Sequence, residues 1–413
     1  MNDFLKLYHH LVKATHKGKL TDPIEENSSY PQHLDCLLHP HDFPPVIATQ
    51  PCHCDPDDCK AQKACLFEAI SRDAQGNITI SPDQCTGCYA CILQCAQQNL
   101  TERKELLPVI TALMESKVPV YALVAPAFIS QFSSSATPGK IRSALKALGF
   151  AGMIEVSLFA DILTLKEALE FDQLVKTSDD FMLTSCCCPI WIAMIRKVYH
   201  QFMPKVPGSV SPMVACGRTV KKLHPGAITV FIGPCLAKKA EAREADIQDA
   251  VDYVLTFEEM QDFFEAAGIH PEEFPEEDKD HSSVAGRSYA YTGGVTWSVS
   301  QAVQRISPER SIQVNGVQAD GVPACRELLE RLQSGQIDGN FLEGMGCRGG
   351  CVGGPKAILS REEGRVQVAQ YAHSASYETP LDNPYVIDLL HRLGFESIEE
   401  LLHQDDIFTR QFQ

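Results

Sequence analysis

The sequence predicts an α/β protein preceded by a small cysteine-rich module, and three observations carry that expectation. From about residue 105 onward, short apolar runs alternate with amphipathic stretches, the pattern of strands and helices sharing a sheet. Hydrophobic residues make up 44% and aromatic residues 8% of the chain, enough for a core and too much for wholesale disorder. Seventeen cysteines fall in discrete groups rather than singly. With 413 residues, two or three domains are expected.

Residues 1–45 combine a short amphipathic start with a His- and Pro-rich stretch (Pro31, His33, His39, Pro40, His41, Pro44, Pro45) and read as an arm or linker without function. The cysteine-rich module is expected over 46–104 and the α/β domain over 105–413. Expected strands in that domain are 118–124, 153–156, 181–184, 228–232 and 288–291, with helices over 162–175 and 257–267. The Pro- and acid-rich segment 271–281 reads as a solvated loop. Residues 1–20 carry no signal-peptide apolar region, and no apolar run approaches the ~20 residues of a spanning helix. The net charge of −17, from 53 acidic and 36 basic residues, argues against nucleic-acid and anionic-membrane binding. A cytoplasmic protein is expected, and clustered cysteines in that compartment point to metal or redox work.

Cys85-Thr-Gly-Cys88-Tyr-Ala-Cys91-Ile-Leu-Gln-Cys95 has the C-x2-C-x2-C-x3-C spacing of bacterial ferredoxins, in which three closely spaced thiolates wrap one [4Fe–4S] cube and the fourth reaches a neighbouring cube. The proline usual after the fourth cysteine is Ala96 here. The upstream group Cys52-His53-Cys54-x4-Cys59-x5-Cys65 is irregular, and taken alone it could be a zinc site with His53 as a fourth ligand. Two-cluster ferredoxins need a second quartet, which assigns Cys52, Cys54, Cys59 and Cys95 to one cube. Cys65, Cys85, Cys88 and Cys91 then hold the other. Cys36, Cys216 and Cys325 stand alone and read as buried small hydrophobes.

Open α/β sheets form their sites at the carboxyl ends of strands. Thr184-Ser185-Cys186-Cys187-Cys188 follows one expected strand and Gly233-Pro234-Cys235 another. Cys347-Arg-Gly-Gly-Cys351, followed by Gly353, Gly354 and Pro355, adds two thiols on backbone that can approach a bulky cofactor closely. Residues 184–191 (TSCCCPIW), 234–241 (PCLAKKAE) and 343–355 (EGMGCRGGCVGGP), in this order behind a two-cluster module, resemble the signature segments of [FeFe] hydrogenases. With Ala125-Pro126, Thr292-Gly293-Gly294 and Asn383-Pro384, the resemblance covers roughly 46–413. The three adjacent cysteines resemble those of a non-prototypical subgroup with a TSCCCP motif.

The resemblance implies a small α+β ferredoxin-like domain with two [4Fe–4S] clusters, followed by an H-cluster domain of two α/β lobes. The implied H-cluster is a [4Fe–4S] cube joined to a two-iron unit carrying CO, cyanide and an azadithiolate. Its cube ligands are Cys188, Cys235, Cys347 and Cys351, with Cys351 bridging to the two-iron unit; a four-cysteine zinc site is the alternative. Cys187 is implied as the proton carrier and Cys186 as an extra thiol. The distances back from Cys187 to Glu167 and Glu170 match the family's two relay glutamates; a solvated acidic helix face is the plain alternative. The family's outer arginine has no match, because Leu174 stands at its spacing. The hydroxyl expected between the glutamates is not clearly present, with Pro207 near its place and Ser209 as a substitute. Lys238 is implied to hold cyanide by a charge-assisted hydrogen bond, unless it is a plain surface lysine. Met345, Ala125, Pro126 and Pro234 are implied contacts of the two-iron unit. Gly233 stands where the family has methionine, a glutamine expected near Met213 is missing, and an aromatic position is Tyr289.

The expected activity is H2 ⇌ 2H⁺ + 2e⁻, with electrons passing through the two cubes to an external ferredoxin or flavodoxin. Separate maturation proteins would supply the two-iron unit. Two rivals use the same residues: a low-turnover H2 sensor, and a cube-only iron–sulfur scaffold protein.

Overall fold

The computed structural model describes residues 3–16, 30–185, 187–403 and 406–412. Four three-residue strands build the cysteine-rich region. β1 (Val46–Ala48) pairs antiparallel with the strand at Leu100–Glu102, and β2 (Ile70–Arg72) pairs antiparallel with β3 (Ile78–Ile80). Counting Leu100–Glu102 as β4, seven further strands follow: β5 (Val120–Val124), β6 (Gly152–Glu155), β7 (Met182–Leu183), β8 (Ile228–Gly233), β9 (Tyr253–Thr256), β10 (Gly316–Asp320) and β11 (Phe341–Met345). They form two parallel sheets, in the orders β6-β5-β8-β9 and β10-β11-β7. Val124 lies beside Ile232 and Leu183 beside Leu342, so β5 and β8, and likewise β7 and β11, end close together.

Each sheet has its own core. The larger is built on Val120–Val124, Val230–Ile232 and the helices around them; the smaller gathers Leu183, Trp191, Met194, Leu329 and Leu342. The helix Ser157–Leu174 buries fourteen of its eighteen residues and shows no single apolar face, the mark of a helix running through an interior. Its polar side chains therefore need partners inside the protein. Asp161 is one: it accepts from Ser283 N, Ser283 Oγ, Gly286 N and Asn383 Nδ2. Those bonds cap the short helix Val284–Ser288 and dock it on the long one.

Several expectations need correcting. The segment over 288–291 is not a strand but the end of that capped helix and the turn after it. A Cβ on Gly286 would meet Ser157 O at 2.2 Å, so the helix is pressed against the long one. β9, β10 and β11 were not among the expected strands. Nor is the amino-terminal segment a free arm. Phe4, Leu7, Tyr8, Leu11 and Val12 of helix Asp3–His16 are buried at helical spacing in the larger core, and helix Tyr30–Leu38 buries His33, Cys36 and Leu37. Segment 271–281 is irregular as expected after a short turn at Pro271–Glu273, but it is tied down. Glu277 pairs with Lys146 and its carbonyl accepts from Arg142. Helix 257–267 ends where expected, closed by a capping box from Thr256 and Glu259 and by Gly268 in the left-handed region.

Candidate metal centre and proton route

Cys65, Cys85, Cys88 and Cys91 line one cavity, walled by Val46, Phe67, Ala69, Ile70 and Ile80. Burial pushes the Cys85 thiol up to about 11 and the Cys88 and Cys91 thiols up as well, with neighbouring cysteine charges adding to the shift. Cys65 Sγ accepts from Ala69 N at 3.3 Å, the kind of N–H···S contact that stabilises cluster sulfur. These are the four thiols assigned to one cube from the spacing.

The other quartet sits nearer solvent. Cys52 and Cys54 sulfurs lie 2.9 Å apart, and Arg72 Nη2 donates to Cys54 at 3.2 Å and to Cys52 at 3.7 Å. Cys59 is buried, and Cys52, Cys54 and Cys95 pack on the same small core. His53 is exposed, and its backbone N–H donates to Gln97.

The strand-end pocket draws on both sheets. Ala125 and Pro126 follow β5, residues 184–188 follow β7, Pro234 and Cys235 follow β8, and Cys347 and Cys351 follow β11. Gly344 makes this convergence possible: a Cβ there would lie 2.0 Å from the buried Trp191 ring, whose Nε1 donates to Thr184 O. Cys188 Sγ accepts from Gly346 N at 3.2 Å. Burial pushes the Cys188 thiol up to about 12 and raises Cys235, Cys347 and Cys351 too; each of the four except Cys235 also feels the charge of at least one other cysteine of the set. Four thiolates crowded in a low-dielectric site repel one another, and the iron cations of a cube would remove that repulsion. The donor set therefore fits a [4Fe–4S] cluster.

Around these thiols stand the residues implied for a two-iron unit. Cys187 Sγ lies 4.0 Å from Met345 Sδ, and Cys187 contributes to the charge acting on Cys351. Lys238 is buried rather than on the surface. Its ammonium pairs with Glu241 at 2.5 Å and is held charged by Glu241, Cys235 and Cys351 against the cost of burial. A Cβ on Gly233 would meet the Phe231 ring at 2.7 Å, so that ring fills the space beside the Pro-Cys pair. Tyr289 is buried and its hydroxyl accepts from Thr164. Cys186 lies outside the described residues. Cys36, Cys216 and Cys325 are buried apolar residues, Cys325 donating to Met345 O.

The cavity quartet and the pocket adjoin. Gly87 has φ +68°, and a Cβ there would lie 3.0 Å from Leu236 O, one residue beyond Cys235, so the Cys85–Cys91 loop packs closely on the Cys235 loop; Cys88 is among the charges acting on Cys347. Charged residues 102–105, at the expected module boundary, are buried and fully engaged. Glu102 pairs with Lys104 and Lys356, Arg103 with Glu105, and Lys239 with Glu259 and Arg103 O. Lys356 also lies 5.3 Å from the Tyr89 ring of the cysteine loop. The local sequence shows only the pairs Glu102–Lys104 and Arg103–Glu105; the partners that complete the network, Lys239, Glu259 and Lys356, lie more than a hundred residues away.

Glu167 and Glu170 are buried, so the solvated acidic face is excluded. Glu167 Oε1 accepts from Ser185 N at 3.0 Å, two residues before Cys187. Glu170 accepts from Ser209 Oγ at 2.9 Å on both oxygens and faces Lys166 Nζ at 3.5 Å. Burial outweighs Lys166 and Ser209 and pushes the Glu170 carboxyl up to about 7. Ser209 is thus next to Glu170, while Pro207 leaves no hydroxyl at its own place. Leu174 is partly exposed at the helix end.

Among the described residues no helix is long and apolar enough to cross a membrane. Comparison with known proteins agrees with the fold. The family model for the iron-only hydrogenase large subunit, C-terminal domain, matches residues 118–355. The chain is 27% identical over 385 residues to NADP-reducing hydrogenase subunit HndD of Solidesulfovibrio fructosivorans, covering 78% of this chain and 65% of that protein. Against iron hydrogenase 1 of Clostridium pasteurianum it is 25% identical, covering 58% and 49%. The chain thus spans about half of one of these relatives and just under two thirds of the other. Protein NAR1 of Arabidopsis thaliana is 24% identical, covering 78% of this chain and 83% of that protein. A solved [FeFe]-hydrogenase from work on stepwise H-cluster assembly has the same fold, with TM-score 0.60, 22% identity and coverage of 74% and 97%. A HydA1 variant of Chlamydomonas reinhardtii gives TM-score 0.57 at 22% identity, covering 71% and 96%. The match over 118–355 spans more than half of the chain, and by it the chain belongs to the iron-only hydrogenase large-subunit family.

Proposed function

We propose that the chain is a hydrogenase that interconverts H2 with two protons and two electrons at an H-cluster. One observation carries the reading: thiols from three strand-end loops gather beside Cys187, Met345 and a buried Lys238, next to a ferredoxin-type quartet. Cys188, Cys235, Cys347 and Cys351 would hold the cube, and Lys238, Met345, Ala125, Pro126 and Pro234 would line the two-iron unit. When bound, that unit supplies the iron at which H2 is made or split. Cys187 would hold a proton at its Sγ beside that unit, and Glu167, through Ser185 at the base of the same loop, and Glu170 would carry protons toward solvent. The cavity quartet (Cys65, Cys85, Cys88, Cys91) and the outer quartet (Cys52, Cys54, Cys59, Cys95) would each hold a cube, supplying an electron path to a ferredoxin or flavodoxin. Maturation proteins load the two-iron unit, and neither nucleic acid nor membrane takes part.

A second reading has its own support. The alignments cover 83% of Protein NAR1 and of relatives named cytosolic iron-sulfur assembly component 3, more than of either of the first two hydrogenase relatives. An iron–sulfur assembly role needs the cubes and not the two-iron pocket. The test is infrared spectroscopy of anaerobic, maturated protein in the window where iron-bound CO and cyanide absorb, alongside H2 evolution from a reduced dye. Bands with turnover uphold the hydrogenase. Bands with almost no turnover favour a sensor, and no bands after maturation proven on a control enzyme favour the assembly role.

A further inference from the structure

Glu170 is the last carboxylate on its helix facing the interior, and the next turn offers Leu174, which carries no proton. Contacts from Glu170 lead elsewhere. Lys166, one turn back and itself buried, faces Glu170 and donates to Leu401 O at 2.6 Å and to Thr409 Oγ1 at 3.2 Å. Ser209, which donates to Glu170, forms an isolated antiparallel bridge with Thr409. Directly opposed residues of such a bridge point to the same side, and Lys166 Nζ, between Glu170 and Thr409 Oγ1, joins the second hydroxyl to the carboxylate. Thr409 O then accepts from Arg218 Nη1 at 3.0 Å. Arg218 lines an open cleft of about 440 Å³ with Lys221, Glu400, His403 and Asp406. Arg410, pairing with Glu244 and Asp246, and Arg218, pairing with Asp249, pin the carboxy-terminal segment in place.

We infer that the proton route leaves the helix at Glu170 and reaches water beneath residues 406–410, through Ser209 and Thr409, with the cleft at Arg218 and His403 as its mouth. Lys166 is the positioning residue of this outer section. The inference rests on the hydrogenase reading for its purpose and not for its geometry. The step is proton transfer alone. A proton from cleft water forms an O–H bond at the Glu170 carboxylate, and the same bond breaks when the proton moves inward; no electron changes place. Burial by itself would lock Glu170 in the protonated form, and the Lys166 ammonium offsets this so that the group can both take up and release a proton near neutrality. Among the described residues, the charged groups facing this section include Lys166 on the same helix, Arg218 and Arg410 beyond Thr409, and Lys221, Glu400, His403 and Asp406 at the cleft.

The test begins with protein made without maturation proteins, so that it needs no two-iron unit. The infrared C=O stretch of a protonated carboxyl is titrated with pH and assigned by its loss in Glu170→Gln. A wild-type midpoint near 7 is expected. Lys166→Met should raise it by about one pH unit or more, and Lys166→Arg should restore it. In maturated protein, Thr409→Val should slow H2 evolution roughly tenfold to a hundredfold and enlarge the solvent deuterium isotope effect, with cofactor infrared bands unchanged. An unchanged midpoint in Lys166→Met overturns the role of Lys166. Wild-type turnover in Thr409→Val overturns the route. If maturated wild type evolves no H2, the hydrogenase reading fails, and the titration alone decides the inference.

Discussion

In the cysteine-rich module, three thiols of the inner quartet come from seven consecutive residues, Cys85 to Cys91, and the fourth from nearby Cys65. In the strand-end pocket, the four thiols come from three loops between residues 188 and 351, hung on two separate sheets. The first site is set mostly by local chain geometry, and its spacing alone raises the expectation of a cluster. The second is set by topology, and each of its loops read singly is only a cysteine after a strand. A consequence is that the module needs its own short segment, whereas the pocket depends on both cores staying in register.

The largest effects should separate metal holding from proton transfer within the pocket. Cys187→Ala should lower H2 turnover by about a thousandfold or more while leaving iron content intact. Replacing Cys235 and Cys347 together by Ala should remove about four irons per chain from protein lacking the two-iron unit. In that variant the electron paramagnetic resonance of the module's two clusters should persist. Loss of all three cluster signals would erase the distinction between a local and a topological site. If activity survives in Cys187→Ala and vanishes in Cys186→Ala, the proton carrier is one residue earlier.

Next comes the register of the smaller sheet. Gly344→Ala places a methyl 2.0 Å from the Trp191 ring, which is fully buried and cannot swing away. Overpacking of this kind costs about 3 kcal/mol, and it should loosen the loop carrying Cys347 and Cys351. Thermal unfolding followed by tryptophan fluorescence, together with the pocket cluster's signal, measures it. Full retention of both would show that the pocket does not depend on this contact.

How much of this was legible in the sequence follows the same division. The spacing of Cys85, Cys88 and Cys91 pointed to thiols that share one cavity with Cys65, and the step from Cys187 back to Glu167 and Glu170 led to two buried acids on one helix. That their carboxylates are interior required the long helix to be apolar on every side, and its run of Leu, Ala and Phe around Asp161, Lys166 and Glu170 shows this only once the neighbouring helices are in place. The burial of residues 102–105 was not legible for the opposite reason. Glu102 pairs with Lys104 and Arg103 with Glu105 inside the run, but Lys239, Glu259 and Lys356, far downstream, complete the network. Helix Asp3–His16 shows its apolar face plainly, but its partner helices begin at Leu106 and Phe257, so the sequence offered a face without a dock.

The smallest expected effect sharpens the contrast inside the module. The inner quartet lies in an apolar cavity and receives a backbone N–H at Cys65. In the outer quartet Cys59 is buried, but Cys52 and Cys54 lie near solvent and have a guanidinium against their sulfurs, Cys54 at 3.2 Å and Cys52 at 3.7 Å. A positive donor at cluster sulfur favours the reduced, more negative state, and solvent access favours it further. The outer cluster should therefore carry the higher potential and receive electrons readily from an external carrier. Arg72→Gln removes the charge and keeps a weaker donor. It should lower the outer cluster's potential by some tens of millivolts, since exposure screens the guanidinium, and Arg72→Lys should recover part of the shift. Redox titration monitored by electron paramagnetic resonance reads both clusters at once, so the inner cluster serves as the internal control. An equal shift in both would mean that Arg72 acts through the shape of the module, and no shift in either would mean that water, not Arg72, sets the outer potential.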